Sequence, residues 1–353
     1  MFSLKLFLIQ TEEIKMFDKL IAKVKAEPKT IVFTEGTDAR ILSATDRLLK
    51  EDLMSVVLVG NVDEVKAAAQ AGGFDVEKAQ IIDPATYEGM EEMVNTMVEL
   101  RKGKMTPDEC KANLLKGNYF GTMLVKMGKA DCLLGGATYS TADTIRPALQ
   151  LVKTKPGAHL VSSVFILDRP EGMGPDFLKT ICFGDCAVNI DYKDDLDKEG
   201  NVKFSAAQKL AEVAVEAAGC AATFGIDPKV AVLSFSTKGS GKGGTVALSQ
   251  EAAKIVKETH PEISCDGEMQ FDAAVSETVG QLKFPGSPVA GHATTSIFPN
   301  IEAGNIGYKI AQRLGGYAAY GPILLGLNAP INDLSRGCDA DEVYKMAIVT
   351  AAL

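Results

Sequence analysis

The amino-acid sequence predicts an α/β protein of two domains built on mostly parallel sheets. Three observations predict it. The chain has 353 residues, more than a single hydrophobic core usually serves. Hydrophobic residues make up 46% and charged residues 24%; this is ordinary globular usage, with enough apolar surface to offset the entropy of ordering, and it excludes a disordered chain. Short apolar runs alternate with longer segments of helical period, the pattern of β-α-β units whose strands are buried on both faces.

In order along the chain, residues 30–34 read as a strand and 39–51 as a helix. Residues 55–60 form a strand, followed by a helix from Val62. Residues 79–83 form a strand, and helices start near Tyr87 and Pro107. Residues 130–135 form a strand and 142–154 a helix. The pattern shifts at Lys155-Pro156-Gly157, after which strands at 159–167 and 179–189 have less helix between them. The acidic run 191–200 reads as a solvated loop, because a calcium loop needs ligands at set spacing and a bidentate Glu. Residues 205–222 are Ala-rich and place Leu210, Val213, Ala214 and Ala217 on one helical face. A strand at 230–236, a helix at 245–259 and a strand at 289–298 follow. A helix at 301–314, a Gly- and Ala-rich strand region at 317–327 and a last helix at 339–351 complete the chain.

Composition narrows the function classes. The formal net charge is -9, from 46 acids against 37 bases, which argues against nucleic acid as a partner but leaves small anions open, since a local Arg cluster can hold one. Seven cysteines, an odd number spread along apolar runs, fit a reducing, cytoplasmic compartment better than a disulfide framework. With three histidines, no C-x-x-C and no H-E-x-x-H, no metal site is expected. The apolar start is broken by Lys5 and meets no small-residue cleavage site, so export is rejected. Residues 1–15 read as a dispensable extension before a second possible start at Met16. No apolar run reaches the ~20 residues of a membrane span.

Four stretches could carry chemistry. Residues 330–338 place Ser335, Arg336 and Gly337 before a predicted helix. Backbone amides at a helix start together with an Arg fork make an anion site, although Asp333 and Ser335 could equally serve the turn and Arg336 the surface. Asp339 and Glu342 have the spacing of a capping box. A carboxylate there could also be a general base, but the helix dipole works against a raised pKa. Residues 135–147 follow a buried strand and open a helix, offering Ser140, Thr141 and Arg146 to an anion, or Ser140 and Thr141 as caps. Residues 239–244 match G-x-G-x-x-G between a strand and a helix, yet no strand ending in an acid is evident beyond that helix. Cys338, beside a helix start where a thiol's pKa should fall, is the one candidate reactive cysteine.

Taken together, these residues resemble the phosphate acetyltransferase (phosphotransacetylase) family. The likeness rests on residues 330–338 and 140–150, with 233–240, 266–274 and 298–305 as further ordered motifs, and covers nearly the whole chain from about Met16. It implies reversible conversion of acetyl-CoA and phosphate to acetyl phosphate and CoA. It also implies two α/β domains around a central cleft, akin to the isocitrate and isopropylmalate dehydrogenase architecture. The first domain would comprise residues 1–155 plus 323–353, and the second residues 156–322. A homodimer is implied, with CoA as substrate and no tightly bound cofactor. The implied mechanism is a ternary complex in which a carboxylate takes the CoA thiol proton and the thiolate attacks the acetyl carbonyl. Carried over, Ser335 stabilises the reacting acetyl centre and Arg336 holds phosphate or the developing charge. Arg146, Ser140, Thr141, Arg101 and Lys238 are implied as phosphate or CoA contacts. The family's aspartate base falls on Glu342, so either Glu342 or the adjacent Asp341 serves. Transfer of butyryl, an NAD(P)-dependent dehydrogenase and a non-catalytic binding module are the competing readings; a hydrophobic pocket separates acyl chains by only ~1–3 kcal/mol per methylene.

Overall fold

The computed structural model describes residues 16–353; the extension expected at residues 1–15 lies outside the described residues. The chain divides into two compact units. A middle unit spans Ala158–Gly326, and a split unit joins Phe17–Gly157 to Leu327–Leu353.

The outward half of the split unit alternates as its hydrophobic pattern dictates. Helix α1 covers residues 16–26. It is followed by β1 (Thr30–Phe33), α2 (Ala39–Lys50), β2 (Ser55–Val59), α3 (Val62–Gly72) and β3 (Gln80–Ile82). Then come α4 (Met90–Arg101), α5 (Pro107–Leu114), α6 (Gly117–Lys126), β4 (Cys132–Gly135) and α7 (Thr141–Pro147). Local chemistry sets the helix starts: Asp38 caps α2 and Asn61 caps α3, while Thr106 and Glu109 form a capping box around Pro107 in α5. The helix expected at 142–154 changes form at Pro147, after which Ala148–Val152 is a π-helical turn. Proline lacks the N–H that would continue the ladder.

The middle unit contains β5 (Ser162–Asp168), β6 (Thr180–Gly184), β7 (Asp195–Leu196), β8 (Val202–Phe204), α8 (Ala206–Thr223) and β9 (Lys229–Leu233). It continues with α9 (Val246–Thr259), β10 (Ser264–Met269), α10 (Phe271–Val275), α11 (Glu277–Lys283), β11 (Thr295–Ile297), α12 (Ile301–Arg313) and β12 (Ala318–Leu325). The chain then re-enters the split unit with β13 (Ile331–Asp333) and α13 (Ala340–Ala352).

The split unit's sheet runs β13-β4-β1-β2-β3, and its pairings are parallel. Phe33 lies opposite Leu58 and Leu134, and Asp333 opposite Gly135. The carboxyl ends of β1, β4 and β13 therefore finish at one edge, and the loops that follow them share it. The middle unit's sheet runs β10-β9-β11-β6-β5-β12, antiparallel only where β5 meets β6 and β12. The fold is α/β with mostly parallel sheets.

Several expected boundaries shift for identifiable reasons. The strand expected at 179–189 ends at Gly184 because Asp185 turns the chain, its carboxylate accepting from the amides of Ala187, Val188 and Asn189. The strand expected at 289–298 shrinks to Thr295–Ile297, since Ser287 Oγ takes the amides of Val289 and Ala290 and Ala273 takes that of Gly291. The solvated loop expected at 191–200 contains β7, which pairs antiparallel with β8, and Asp197 holds the turn by accepting from Glu199 and Asn201. Helix α6, strands β10 and β13, and helices α10 and α11 were not expected. No described helix is long and apolar enough to cross a membrane.

Candidate active site

The shared edge of β1, β4 and β13 gathers the polar side chains that follow those strands. Asp333, the last residue of β13, is buried. Its Oδ2 accepts from Thr141 Oγ1 at 2.6 Å and its Oδ1 from Thr144 Oγ1 at 2.5 Å. The first turn of α7 is thereby fastened to the strand that leads into Ser335. The contact requires glycine opposite: at Gly136, with φ +99, a Cβ would sit 2.2 Å from Asp333 Oδ1. Burial pushes the Asp333 carboxyl up to about 6, with the charge of Glu35 adding to it and the two threonine hydroxyls opposing.

Glu35, just after β1, organises the neighbouring loop. Its Oε1 accepts from the Thr138 amide at 2.6 Å and hydroxyl at 2.8 Å, and its Oε2 from the Gly136 amide at 3.1 Å. Thr34 Oγ1 lies 2.8 Å from the Tyr139 hydroxyl. Burial pushes that phenol well up, and Glu35 adds to the shift.

Ser335 and Arg336 project from the loop after β13, and both are exposed. Ser335 Oγ accepts from the Gly337 amide at 3.3 Å, and the Ser335 carbonyl from the Cys338 amide at 2.9 Å. The Arg336 guanidinium makes no hydrogen bond or ion pair among the described residues, so it is open to an anion. Cys338 departs from expectation. It is buried, and burial pushes its thiol up to about 11 against the pull of Arg40. Loss of hydration outweighs the helix start.

The capping box at α13 forms as its spacing demands. Asp339 Oδ1 accepts from the Glu342 amide at 2.8 Å, and Glu342 Oε2 from the Asp339 amide at 3.0 Å. Asp341 is held elsewhere, 2.9 Å from Arg47 and 3.0 Å from Lys345. Burial would raise its carboxyl, but Lys345 and Arg47 prevail and keep it below the usual carboxylate range. Glu342 has Oε1 left for other chemistry.

The α7 start behaves differently from a simple cap. Ser140 occupies the N-cap position without a side-chain cap bond; its hydroxyl donates to Asp143 Oδ2 at 2.7 Å. The Thr141 hydroxyl serves Asp333 rather than solvent. Arg146 is exposed and only 3.5 Å from Asp143 Oδ1, a loose pair. Arg101, at the end of α4, has a buried Nε with no hydrogen-bond partner among the described residues. Burial pushes the Tyr119 phenol up, against the pull of Arg146 and Arg101. Lys238 belongs to the middle unit, in a left-handed conformation after β9, with Nζ 5.0 Å from the centre of the Phe284 ring.

The G-x-G-x-x-G stretch is not a free phosphate cradle. Glu268 Oε1 takes the Gly239 amide at 2.8 Å, the Glu268 carbonyl takes that of Lys238 at 3.3 Å, and Ser236 Oγ takes that of Gly241 at 2.9 Å. A strand with acids, β10, does follow the helix, contrary to expectation, but its Glu268 points into this loop. Sequence reasoning also missed Glu35, Arg40 and the role of Asp333; the one local signal near them, Asp38 at the N-cap of α2, was not read either.

The comparisons fit this geometry. A family model described as "Phosphate acetyl/butaryl transferase" matches residues 15–351. The phosphate acetyltransferase of Bacillus subtilis (strain 168) is 48% identical over 337 residues, covering 96% of this chain and 98% of that protein. That of Staphylococcus epidermidis (strain ATCC 12228) is 47% identical over 335 residues, covering 94% and 96%. Among solved structures, a Streptococcus pyogenes phosphotransacetylase matches with TM-score 0.88 at 46% identity, covering 96% of this chain and 97% of that one. The EutD phosphotransacetylase from Staphylococcus aureus matches with TM-score 0.82 at 45% identity, covering 96% and 98%. With a family model matched almost end to end and relatives near half identical, the chain belongs to the phosphate acetyl/butaryl transferase family.

Proposed function

We infer that this chain moves an acetyl group reversibly between acetyl-CoA and inorganic phosphate, giving acetyl phosphate and CoA. The observation that carries the reading is the Ser335–Arg336 pair. An exposed guanidinium with no partner among the described residues and a hydroxyl stand at the carboxyl edge of a parallel sheet, where α/β folds gather ligands. Phosphate is a multiply charged anion suited to an Arg fork. The net charge of -9 does not oppose this, because nearby guanidinium groups act locally while remote charge is screened.

In the direction of acetyl-CoA formation, a carboxylate takes the CoA thiol proton, the thiolate attacks the acetyl carbonyl, and phosphate leaves. Arg336 stabilises the charge on the phosphate and Ser335 the acetyl oxygen. Glu342 is the better base of the two acids, since Asp341 is committed to Arg47 and Lys345. Arg146 and Arg101 contact the phosphates of the substrates, while Ser140 and Thr141, whose hydroxyls are taken by Asp143 and Asp333, shape the loop beside them. CoA is a substrate, and no tightly bound cofactor takes part.

The working protein is a cytoplasmic homodimer. Its two domains follow the units described above, Phe17–Gly157 with Leu327–Leu353 and Ala158–Gly326, because a border at 322 would divide β12 (Ala318–Leu325). Helix α12 supports the dimer: Ile306, Ile310 and Leu314, at helical spacing, are 60%, 52% and 85% exposed, an apolar stripe that a second copy would cover.

The test mixes purified protein with CoA and acetyl phosphate, with butyryl phosphate alongside, and follows thioester absorbance. Fast acetyl thioester formation, reversed by phosphate, is expected. Preference for butyryl phosphate would change the substrate and keep the mechanism; no thioester from folded protein would end the transferase reading.

A further inference from the structure

Arg40, in the first turn of α2, has no role in the chemistry above, yet its five N–H donors are all spent. Nε donates to Asp38 Oδ1 at 3.0 Å and Nη2 to Asp38 Oδ2 at 2.7 Å. Nη2 also donates to the Ala137 carbonyl at 2.8 Å. Nη1 donates to the carbonyls of Arg336 at 2.9 Å and Cys338 at 3.1 Å, and lies 3.7 Å from Cys338 Sγ. One planar group thus ties together the start of α2, the loop leading from β4 into α7, and the loop carrying Ser335 and Arg336. Asp38 fixes the fork from behind while capping α2 through the Arg40 amide at 2.9 Å. Side-chain hydrogen bonding to Arg40 holds the Asp38 carboxyl low despite burial, and the same pairing pushes Arg40 up, so both stay charged.

The geometry at Arg336 gives this fork its importance. Among the described residues, the bond from Arg40 is the one hydrogen bond made to the Arg336 backbone. The turn around it is closed by Cys338 N–H on the Ser335 carbonyl, which fixes the turn's ends but not the plane of its middle peptide. We propose that Arg40 is a positioning residue for acyl transfer, fixing the Arg336 carbonyl and with it the directions in which the Ser335 and Arg336 side chains leave the loop. Lysine cannot replace it, because three donors on a single nitrogen cannot span Asp38 and three carbonyls on two further segments. The inference rests on the acetyl-transfer reading.

The experiment compares the parent with Arg40→Lys and Arg40→Ala by steady-state kinetics and circular dichroism. A misplacement of about 1 Å at reacting groups costs on the order of 100-fold, so both variants should lose roughly 10- to 100-fold in kcat. KM for CoA should stay within about twofold, the signature of an interaction felt in the transition state. Added guanidinium ion at millimolar concentration should restore several-fold of the lost kcat in Arg40→Ala and none in Arg40→Lys. Parent-like kcat in folded Arg40→Lys overturns the role, as does a loss that merely tracks the unfolded fraction. If Arg40→Ala does not fold, the turnover of Arg40→Lys decides. A parent protein that makes no thioester defeats the acetyl-transfer reading itself, whereas an active parent with an equally active Arg40→Lys defeats only the positioning role.

Discussion

Arg336 and Asp333 lie close in the chain and obey opposite physics. Arg336 is exposed and its guanidinium has no partner among the described residues, so removing it should leave the fold intact and strip charge stabilisation from the reaction. Losing one such contact typically costs about 2.7–4 kcal/mol in the barrier, so Arg336→Ala should lower turnover by roughly 100-fold or more at an unchanged melting temperature. A folded variant with parent rates would remove Arg336 from the mechanism. Asp333 is buried, and its carboxyl is pushed up to about 6 from the ordinary 3.8. The folded chain therefore binds the proton more tightly than the unfolded chain. That contribution is complete below about pH 4 and is lost as pH rises through about 6. The difference is on the order of 3 kcal/mol. Melting temperatures of the parent and Asp333→Asn, taken at about pH 4 and about pH 7, should differ in pH slope, the parent losing more on going to neutrality. Equal slopes would show that Asp333 does not carry this proton.

At the scale of elements, the first turn of α13 allows cap and base to be separated. Gln at the third helical position can still complete a capping box, so Glu342→Gln should keep the melting temperature. It should lower kcat by about 100-fold if Glu342 takes the thiol proton. Asp341→Asn breaks exposed ion pairs with Arg47 and Lys345; such pairs contribute about 0–1 kcal/mol, and turnover should stay near that of the parent. Reversal of these two results would move the base to Asp341. The same locality explains what the sequence revealed. Helices α2, α3, α8 and α13 carry their caps and periodic apolar faces in adjacent residues, so their starts were readable. Strands β10 and β13 were not, because Asp266, Glu268, Asn332 and Asp333 interrupt their apolar pattern. Each is buried and satisfied from elsewhere: Asp266 by Lys257, Glu268 by Ser236, Asn332 by Thr350, and Asp333 by Thr141 and Thr144. Ser335 and Arg336 were legible as a motif beside a helix start. Arg40 and Glu35 were not, since their meaning lies in contacts with residues far along the chain.

At the scale of the whole molecule, the proposed homodimer is tested at the exposed apolar stripe of α12. Replacing Ile306 and Ile310 together with Glu should halve the mass seen by light scattering while leaving circular dichroism unchanged, because charge at the centre of an apolar interface is costly. An unchanged mass would place the subunit contact elsewhere or leave the chain a monomer. The order in which the units occur along the chain has a further consequence. The middle unit is one continuous segment, Ala158–Gly326, whereas the split unit needs Leu327–Leu353 to close. During synthesis the middle unit can therefore finish folding while the first unit waits, its sheet lacking β13 and ending at the apolar edge of β4. That edge is a ready template for pairing with another chain. A nascent chain released before Ile331 would lack Ser335 and Arg336 and expose this edge, so each interrupted product would be both inert and prone to aggregate. Only a chain extended through β13 can hide the edge, and the residues just after that strand bring the anion site with them.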